Sequence, residues 1–312
     1  MYSFVIPCYN SSESIRHVVE LTMEEMEKMN RREFEFVLVN DYSSSTKTMP
    51  VLKKLAEEYP CVTVLNLAKN AGQHNAIMAG LNYAKGYILI GIDDDMQTHP
   101  SQLPYLFEEL EKGYDIVYGY YPEKKHSAFR NFGSWVNYIS VRILIGKPKE
   151  LKTSSYWVAR KFVRDSVIEY QAPYAYIQGL FLRTTRNISC IPIQHFQREE
   201  GESNYTFKRL LKLWSNIIGF SITPLRLTEY CGFGLSLLSI IAAVVVLIRK
   251  ILNPAMALGW PSLMIVICFF SGIQLMFLGL IGEYIGRMFL GLNRQPQYVI
   301  REVIRQESEE QE

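Results

Sequence analysis

The stretch Tyr87-Ile88-Leu89-Ile90-Gly91-Ile92-Asp93-Asp94-Asp95-Met96-Gln97 runs from six uncharged residues straight into three consecutive carboxylates. A short, isoleucine-rich apolar run that ends in charge reads as a buried strand delivering polar residues at its carboxyl end. Working outward, similar runs occur at Tyr2 to Pro7, Phe34 to Asn40, Val62 to Leu65 and Asp115 to Tyr118, with helical stretches between them. Such alternation implies an α/β domain built on a mainly parallel sheet with helices on both faces. Sheets of this kind bind ligands beyond the carboxyl ends of their strands. Asn10 with Ser11 and Ser12, Asp41 with Ser43 and Ser44, and Asp93 to Asp95 are therefore the first candidates for chemistry.

Three adjacent carboxylates repel one another, and a strand end gathers them at a cost unless a cation compensates. Successive strand residues point to opposite faces, so Asp93 and Asp95 share a side and Asp94 takes the other. Hard oxygen ligands in ones and twos suit Mg2+ or Mn2+ shared with a substrate phosphate. A solvated acidic turn before the helix that follows Pro100 is the plain alternative. Other polar groups carry two readings each. Asp41 either caps a helix starting near Ser45 or touches a nucleotide. Backbone donors of Lys69 to Gln73, Gly72 among them, either meet a phosphate or form an ordinary helix start. His74 reads as a satisfied helix histidine. Arg130 and Ser134 lie four residues apart on one helical face, as a phosphate clamp or a surface pair. Arg198, Gly201, Ser203 and Tyr205 form a polar loop ahead of an apolar region.

That region holds a run of 19 uncharged residues from Tyr230 to Ile248, and a second run from Ile251 to Gly282. Each is long enough to cross about 30 Å of hydrocarbon at about 1.5 Å rise per residue. With only a short turn between them they form a two-helix transmembrane hairpin. Lys208, Arg209, Lys212 and Arg226 precede the first run, and Arg287, Arg294, Arg301 and Arg305 follow the second. The positive-inside rule then makes the protein multi-pass with its large N-terminal domain cytoplasmic. Thr206 to Ile222 reads as an interfacial amphipathic helix on the lipid bilayer. A formal charge of +2 with 21% charged residues gives no global field for nucleic acid. Five scattered cysteines form neither a disulfide framework nor a zinc motif. The opening residues form a strand at once, without the charged and apolar regions of a secretory signal.

The motifs Phe4-Val5-Ile6-Pro7-Cys8-Tyr9-Asn10, Val39-Asn40-Asp41-Tyr42-Ser43-Ser44, Asn70-Ala71-Gly72, Asp93-Asp94-Asp95-Met96-Gln97 and Arg198-Glu199-Glu200-Gly201-Glu202-Ser203-Asn204-Tyr205 occur in this order. With Gln295-Pro296-Gln297-Tyr298 near the end, the chain resembles the family 2 nucleotide-sugar glycosyltransferases of GT-A fold, in the dolichyl-phosphate-mannose synthase and bactoprenol glucosyltransferase branch. The resemblance implies that Asp93, Asp95 and Gln97 hold the Mg2+ or Mn2+ on the donor diphosphate. It implies a nucleotide pocket of Pro7, Tyr9, Asn10 and Asp41, with Gly72 and Asp94 beside it. It also implies that Arg130, Ser134, Arg198 and Ser203 receive phosphate groups. The implied reaction is inverting transfer from a UDP-sugar, glucose or N-acetylglucosamine, to undecaprenyl phosphate at the bacterial inner membrane. A silent scaffold of a glycan export complex and a processive polysaccharide synthase are the competing readings.

The implied organisation is a catalytic domain over 1–200, a phosphate-binding loop and interfacial helix over 201–228, two spans over 229–287 and a tail over 288–312. Three departures stand out. Gly119 is followed by Tyr120 and Tyr121, leaving Lys124 or Lys125 in place of the family's arginine. Asn40 and Tyr42 replace an aspartate and a glycine. Glu150 to Trp157 places no carboxylate where the family carries an acid. The Gln295 to Arg301 segment fits an edge strand on a neighbouring subunit, making a homo-oligomer, and fits equally well on its own domain.

Overall fold

The computed structural model describes residues 1–122, 146–194, 221–252 and 259–306. In chain order, β1 (Tyr2–Cys8), α1 (Ile15–Lys28), β2 (Phe34–Asn40), α2 (Thr48–Glu58), β3 (Val62–Leu67), α3 (Gln73–Tyr83) and β4 (Ile88–Gly91) realise the expected alternation. After a short 3-10 turn come α4 (Leu103–Glu111), β5 (Ile116–Tyr120), β6 (Trp157–Arg160), α5 (Lys161–Val167), α6 (Ile177–Thr184) and β7 (Ile188–Pro192). Two long helices, α7 (Thr223–Leu252) and α8 (Trp260–Leu292), precede a last strand, β8 (Ile300–Ile304).

One sheet of eight strands results, in the order β7-β5-β6-β4-β1-β2-β3-β8. Its centre, β4-β1-β2-β3, is parallel, as is the β5–β7 pair. Strand β6 runs antiparallel between β4 and β5, and β8 runs antiparallel along β3. The sheet is therefore mixed rather than uniformly parallel, and the antiparallel strands are those that the spacing of apolar runs does not reveal. Strand β8 pairs with β3 within the chain and covers that edge.

The pleat sorts the core into two layers. Phe4, Ile6, Phe36, Leu38, Val64 and Ile90 face one way, onto α1, α2 and α4. Val5, Val37, Val39, Leu65 and Leu89 face the other way, onto α3, α5 and α6. Each fully buried aliphatic or aromatic side chain contributes about 1.5–3 kcal/mol relative to exposure, so both layers are needed to offset chain entropy.

Helices α7 and α8 behave differently. Windows Thr223–Val246 and Phe269–Leu292 have mean hydropathies of 1.9 and 1.5, and none of either window is buried by protein. Phe233, Leu238, Leu275 and Met276 are among many apolar side chains left bare. Both helices are long and apolar enough to cross a membrane, at about 45 Å and about 50 Å. The Tyr284 hydroxyl, late in α8, donates to the carbonyl of Ser221 just before α7, so the two helices run antiparallel as in a hairpin. The region assigned to the interfacial helix lies, apart from its last two residues, outside the described residues.

Gly91 closes β4 directly opposite Trp157 of β6. A Cβ built there falls 2.2 Å from the indole Cε2. Trp157 is 1% exposed, and its ring meets Phe181 edge-on at 4.9 Å, so it has nowhere to retreat. Gly91→Ala is expected to cost about 1–3 kcal/mol by overpacking. A thermal melt of the detergent-solubilised protein checks this, and an unshifted Tm contradicts it.

Candidate functional site

The carboxyl ends of β1, β2 and β4 meet at one edge of the sheet. Asn10 follows β1 with φ of 59°, a left-handed conformation that asparagine tolerates better than most residues. Its N–H donates to Ser43 Oγ at 3.1 Å, and its amide nitrogen to Ser44 Oγ at 3.0 Å. Its Oδ1 accepts from the Ser45 N–H at 2.9 Å. Asn10 thus laces the first loop to the second. Asn40, which stands where the family pattern has an aspartate, reaches Asn66 of β3 at 2.9 Å and accepts from the Ser43 hydroxyl at 2.6 Å. A neutral amide here supplies both a donor and an acceptor.

Asp41 does not cap a helix near Ser45. Its carboxylate accepts from the N–H groups of Ala71 at 2.6 Å and Gly72 at 2.9 Å, at the start of α3. Asp41 is 4% exposed, and Gly72 holds φ of 86°, a conformation that favours glycine. Two backbone donors that the sequence offers to a phosphate are therefore already engaged by protein. Pro7 lies within β1 opposite Val39, and Tyr9, 51% exposed, lies just beyond it at the rim.

The three aspartates follow the end of β4 and take different partners. Asp94 turns to the α1 side, where its Oδ2 accepts from the Tyr9 N–H at 3.1 Å and its carbonyl accepts from the Ser14 hydroxyl. Asp93 turns to the α3 side, accepting from Gln73 Nε2 at 3.0 Å and from the Ser155 hydroxyl. Asp95 Oδ1 accepts from the Gln97 N–H at 3.2 Å, and the Gln97 carbonyl accepts from the Tyr121 hydroxyl at 2.6 Å. Burial first, and then the charges of Asp93 and Asp95, push the Tyr121 hydroxyl pKa up. The two acids thus act on a common neighbour.

Burial above all, with Asp95 and Asp94 adding to it, raises Asp93 to about 7 against the lowering effect of Ser155 and Gln73. Asp94 is raised to about 6, again chiefly by burial. Among the described residues the donors to Asp93, Gln73 and Ser155, are both neutral. Among the described residues no three His, Cys, Asp or Glu side chains converge on one point. Asp93 and Asp95 together fit a cation held by one or two carboxylates and completed by a substrate phosphate.

Arg130, Ser134, Arg198 and Ser203, together with Lys124 and Lys125, lie outside the described residues. Ser155 is the contact that sequence reasoning missed. Its signal is register: the antiparallel β4–β6 ladder pairs Gly91 with Trp157, and two further steps place Ser155 opposite Asp93. His74 also differs from expectation. Its Nδ1 is buried with no hydrogen-bond partner, its ring meets Tyr176 edge-on at 5.1 Å, and burial lowers its pKa to about 4.

Residues 3–170 match the domain described as glycosyl transferase family 2. An undecaprenyl-phosphate 4-deoxy-4-formamido-L-arabinose transferase of Edwardsiella ictaluri (strain 93-146) is 33% identical over 99% of this chain and 97% of its own length. One of the same name from Pseudomonas savastanoi pv. phaseolicola (strain 1448A / Race 6) is 33% identical over 98% of this chain and 92% of its own. The solved Mycobacterium tuberculosis glucosyl-3-phosphoglycerate synthase, in complex with Mn2+ and uridine-diphosphate-glucose, overlays with a TM-score of 0.50. That match has 16% identity over 71% of this chain and 79% of the other, and it shows a shared fold, the GT-A fold implied by the motifs. Motif order, the carboxylate edge and full-length likeness agree, and the chain belongs to glycosyl transferase family 2.

Proposed function

We propose that this glycosyltransferase moves a sugar from a uridine-diphosphate donor to undecaprenyl phosphate at the cytoplasmic face of a bacterial inner membrane. The observation that carries the proposal is that the likeness to two relatives named for undecaprenyl phosphate runs through both apolar helices to nearly the full length of each chain. The fold supports it, since the segment after α8 returns to the carboxyl edge of the sheet and an acceptor embedded in lipid needs the site at membrane depth. The relatives' 4-deoxy-4-formamido-L-arabinose leads the candidate sugars, ahead of glucose and N-acetylglucosamine.

In this reading Tyr9, Asn10 and Asp41 shape the nucleotide end of the pocket, with Pro7 and Gly72 setting the backbone around it. Asp93 and Asp95, with Gln97 alongside, would hold Mg2+ or Mn2+ at the donor diphosphate, where the cation would supply neutralisation of the charge developing on the departing group. Gln73 and Ser155 fix the Asp93 carboxylate from two sides, and Asp94 braces the loop after β1. Arg130, Ser134, Arg198 and Ser203 receive the acceptor phosphate and aim its oxygen at the anomeric carbon. The oxygen–carbon bond forms as the bond to the diphosphate breaks, and a single in-line displacement inverts the centre.

Detergent-solubilised protein, undecaprenyl phosphate and labelled uridine-diphosphate sugars test the proposal by transfer of label to the organic phase. Transfer from one sugar is expected, abolished by chelator and restored by Mn2+. Asp95→Asn is expected to lower the rate about 100- to 1,000-fold. Folded protein that binds uridine diphosphate but transfers nothing from any donor would overturn the assignment in favour of a scaffold. For Ser155→Ala the expected loss is about 10- to 100-fold in activity or Mn2+ affinity, the usual effect of removing a ligand's orienting partner. Unchanged Mn2+ titration and rate in that variant would remove Ser155 from the site.

A further inference from the structure

The chain between α5 and α6, residues 168–176, lies outside any helix or strand, yet it is held from two sides. Gln297, in the segment after α8, gives both hydrogens of its Nε2 to that loop, to the carbonyl of Tyr170 at 2.6 Å and that of Ala172 at 2.8 Å. Asn75, in the first turn of α3, donates from Nδ2 to the carbonyl of Pro173 at 3.0 Å. Its second hydrogen goes to the carbonyl of Ala71, also at 3.0 Å. Two side-chain amides thus grip three of the loop's carbonyls. Ring contacts follow the same lines: the Arg287 guanidinium of α8 lies over the Tyr174 ring at 4.7 Å, and the Tyr176 ring meets His74 edge-on at 5.1 Å.

The turn of α3 that Asn75 pins is the one that touches the acids of the site. Ala71 and Gly72 give their N–H groups to Asp41, and Gln73 gives its Nε2 to Asp93 at 3.0 Å. Direct contacts therefore run from α8 and the segment after it, through the loop, to the groups that hold Asp41 and Asp93. Chains of packed side chains and hydrogen bonds of this kind carry coupling between distant elements. Strand β8 already ties the end of the chain to β3, so the grip of Gln297 is a second tie, directed at the site rather than at the sheet edge.

Primary amides suit this task. Each supplies two donors without bringing a charge, and each is oriented by having both hydrogens engaged. A carboxylate of the same shape would set oxygen against carbonyl oxygen, so Gln297→Glu reverses the interaction at almost constant volume.

We propose that Gln297 and Asn75 are positioning residues, which hold the loop at 168–176 against α3 so that Gln73 meets Asp93 in the orientation a divalent cation requires. Docking of the segment beyond the second apolar helix is then a condition for a formed donor site. The proposal rests on the nucleotide-sugar reading above.

Hydrogen exchange of the full chain in detergent tests it, together with the Mn2+ concentration that half-saturates binding of uridine diphosphate. Gln297→Glu breaks the grip from one side. Glu302→Ala is the control, because it cuts the Lys53–Glu302 ion pair of β8, 3.5 Å long, and leaves the amides in place. In Gln297→Glu, residues 68–76 on the far side of the loop are expected to exchange about five- to thirtyfold faster, the worth of one or two lost hydrogen bonds. The half-saturating Mn2+ concentration is expected to rise about tenfold, and the control to match the native protein in both. Asn75→Ala, acting from the α3 side, is expected to speed exchange over 168–176 to the same degree, and it carries the test should Gln297→Glu not fold. Faster exchange in Gln297→Glu that stops at 168–176 and 295–304 overturns the coupling. Faster exchange at 68–76 with an unchanged Mn2+ requirement reduces the amides to a structural tie and overturns their positioning role. Should both readouts move while native protein transfers sugar from no donor, the coupling stands and the transferase reading falls.

Discussion

Everything at the ligand edge depends on the two-residue period of β4. Asp93, Asp94 and Asp95 lie just beyond β4 and take partners on different sides, although their charges still act on one another. Asp94 goes to the α1 layer and fastens the loop after β1. Asp93 goes to the α3 layer, where Gln73 and Ser155 await it. The same period places Gly91 against Trp157, so the strand carrying the acids is seated against the largest buried side chain. A register slip of one residue would exchange the faces and send Asp93 away from both partners.

The sequence makes the parallel half of this fold legible for a physical reason. Strands buried on both faces read as continuous apolar runs, and β1 to β5 are of that kind. Strands β6 and β7 are harder to see. Trp157 to Arg160 is four residues long and mixes an aromatic with a charge, and Ile188 to Pro192 is only half-buried. Strand β8, Ile300 to Ile304, carries the adjacent charges Arg301 and Glu302 and lies at an edge, where they stay exposed. Its address, antiparallel to β3, depends on where the chain returns after α8, and no local pattern encodes that.

Site legibility divides along the same line. Residues that directly follow strands, such as Asn10, Asp41 and Asp93, announce themselves by position. Their partners do not. Asp41 bonds Ala71 and Gly72, thirty positions on, and Asp93 bonds Ser155 across sixty-two. Asp41 shows the limit of local reading: parallel pairing of β2 with β3 brings the start of α3, rather than that of α2, to its carboxylate.

Ser155 also bears on the missing acid. A hydroxyl acceptor of a sugar must lose its proton, and enzymes acting on one need a base within reach. A phosphate monoester has a second pKa near 6, so its oxygen is already anionic near neutral pH. On the proposed reading a carboxylate at this point would add a fourth negative charge beside Asp93, Asp94 and Asp95, and would push Asp93 higher still. A serine instead donates a hydrogen bond, which favours the ionised form of Asp93. On the proposed reading a hydroxyl here suits an acceptor that brings its own charge, and the work of the site would be to hold two phosphate-bearing substrates in line rather than to remove a proton.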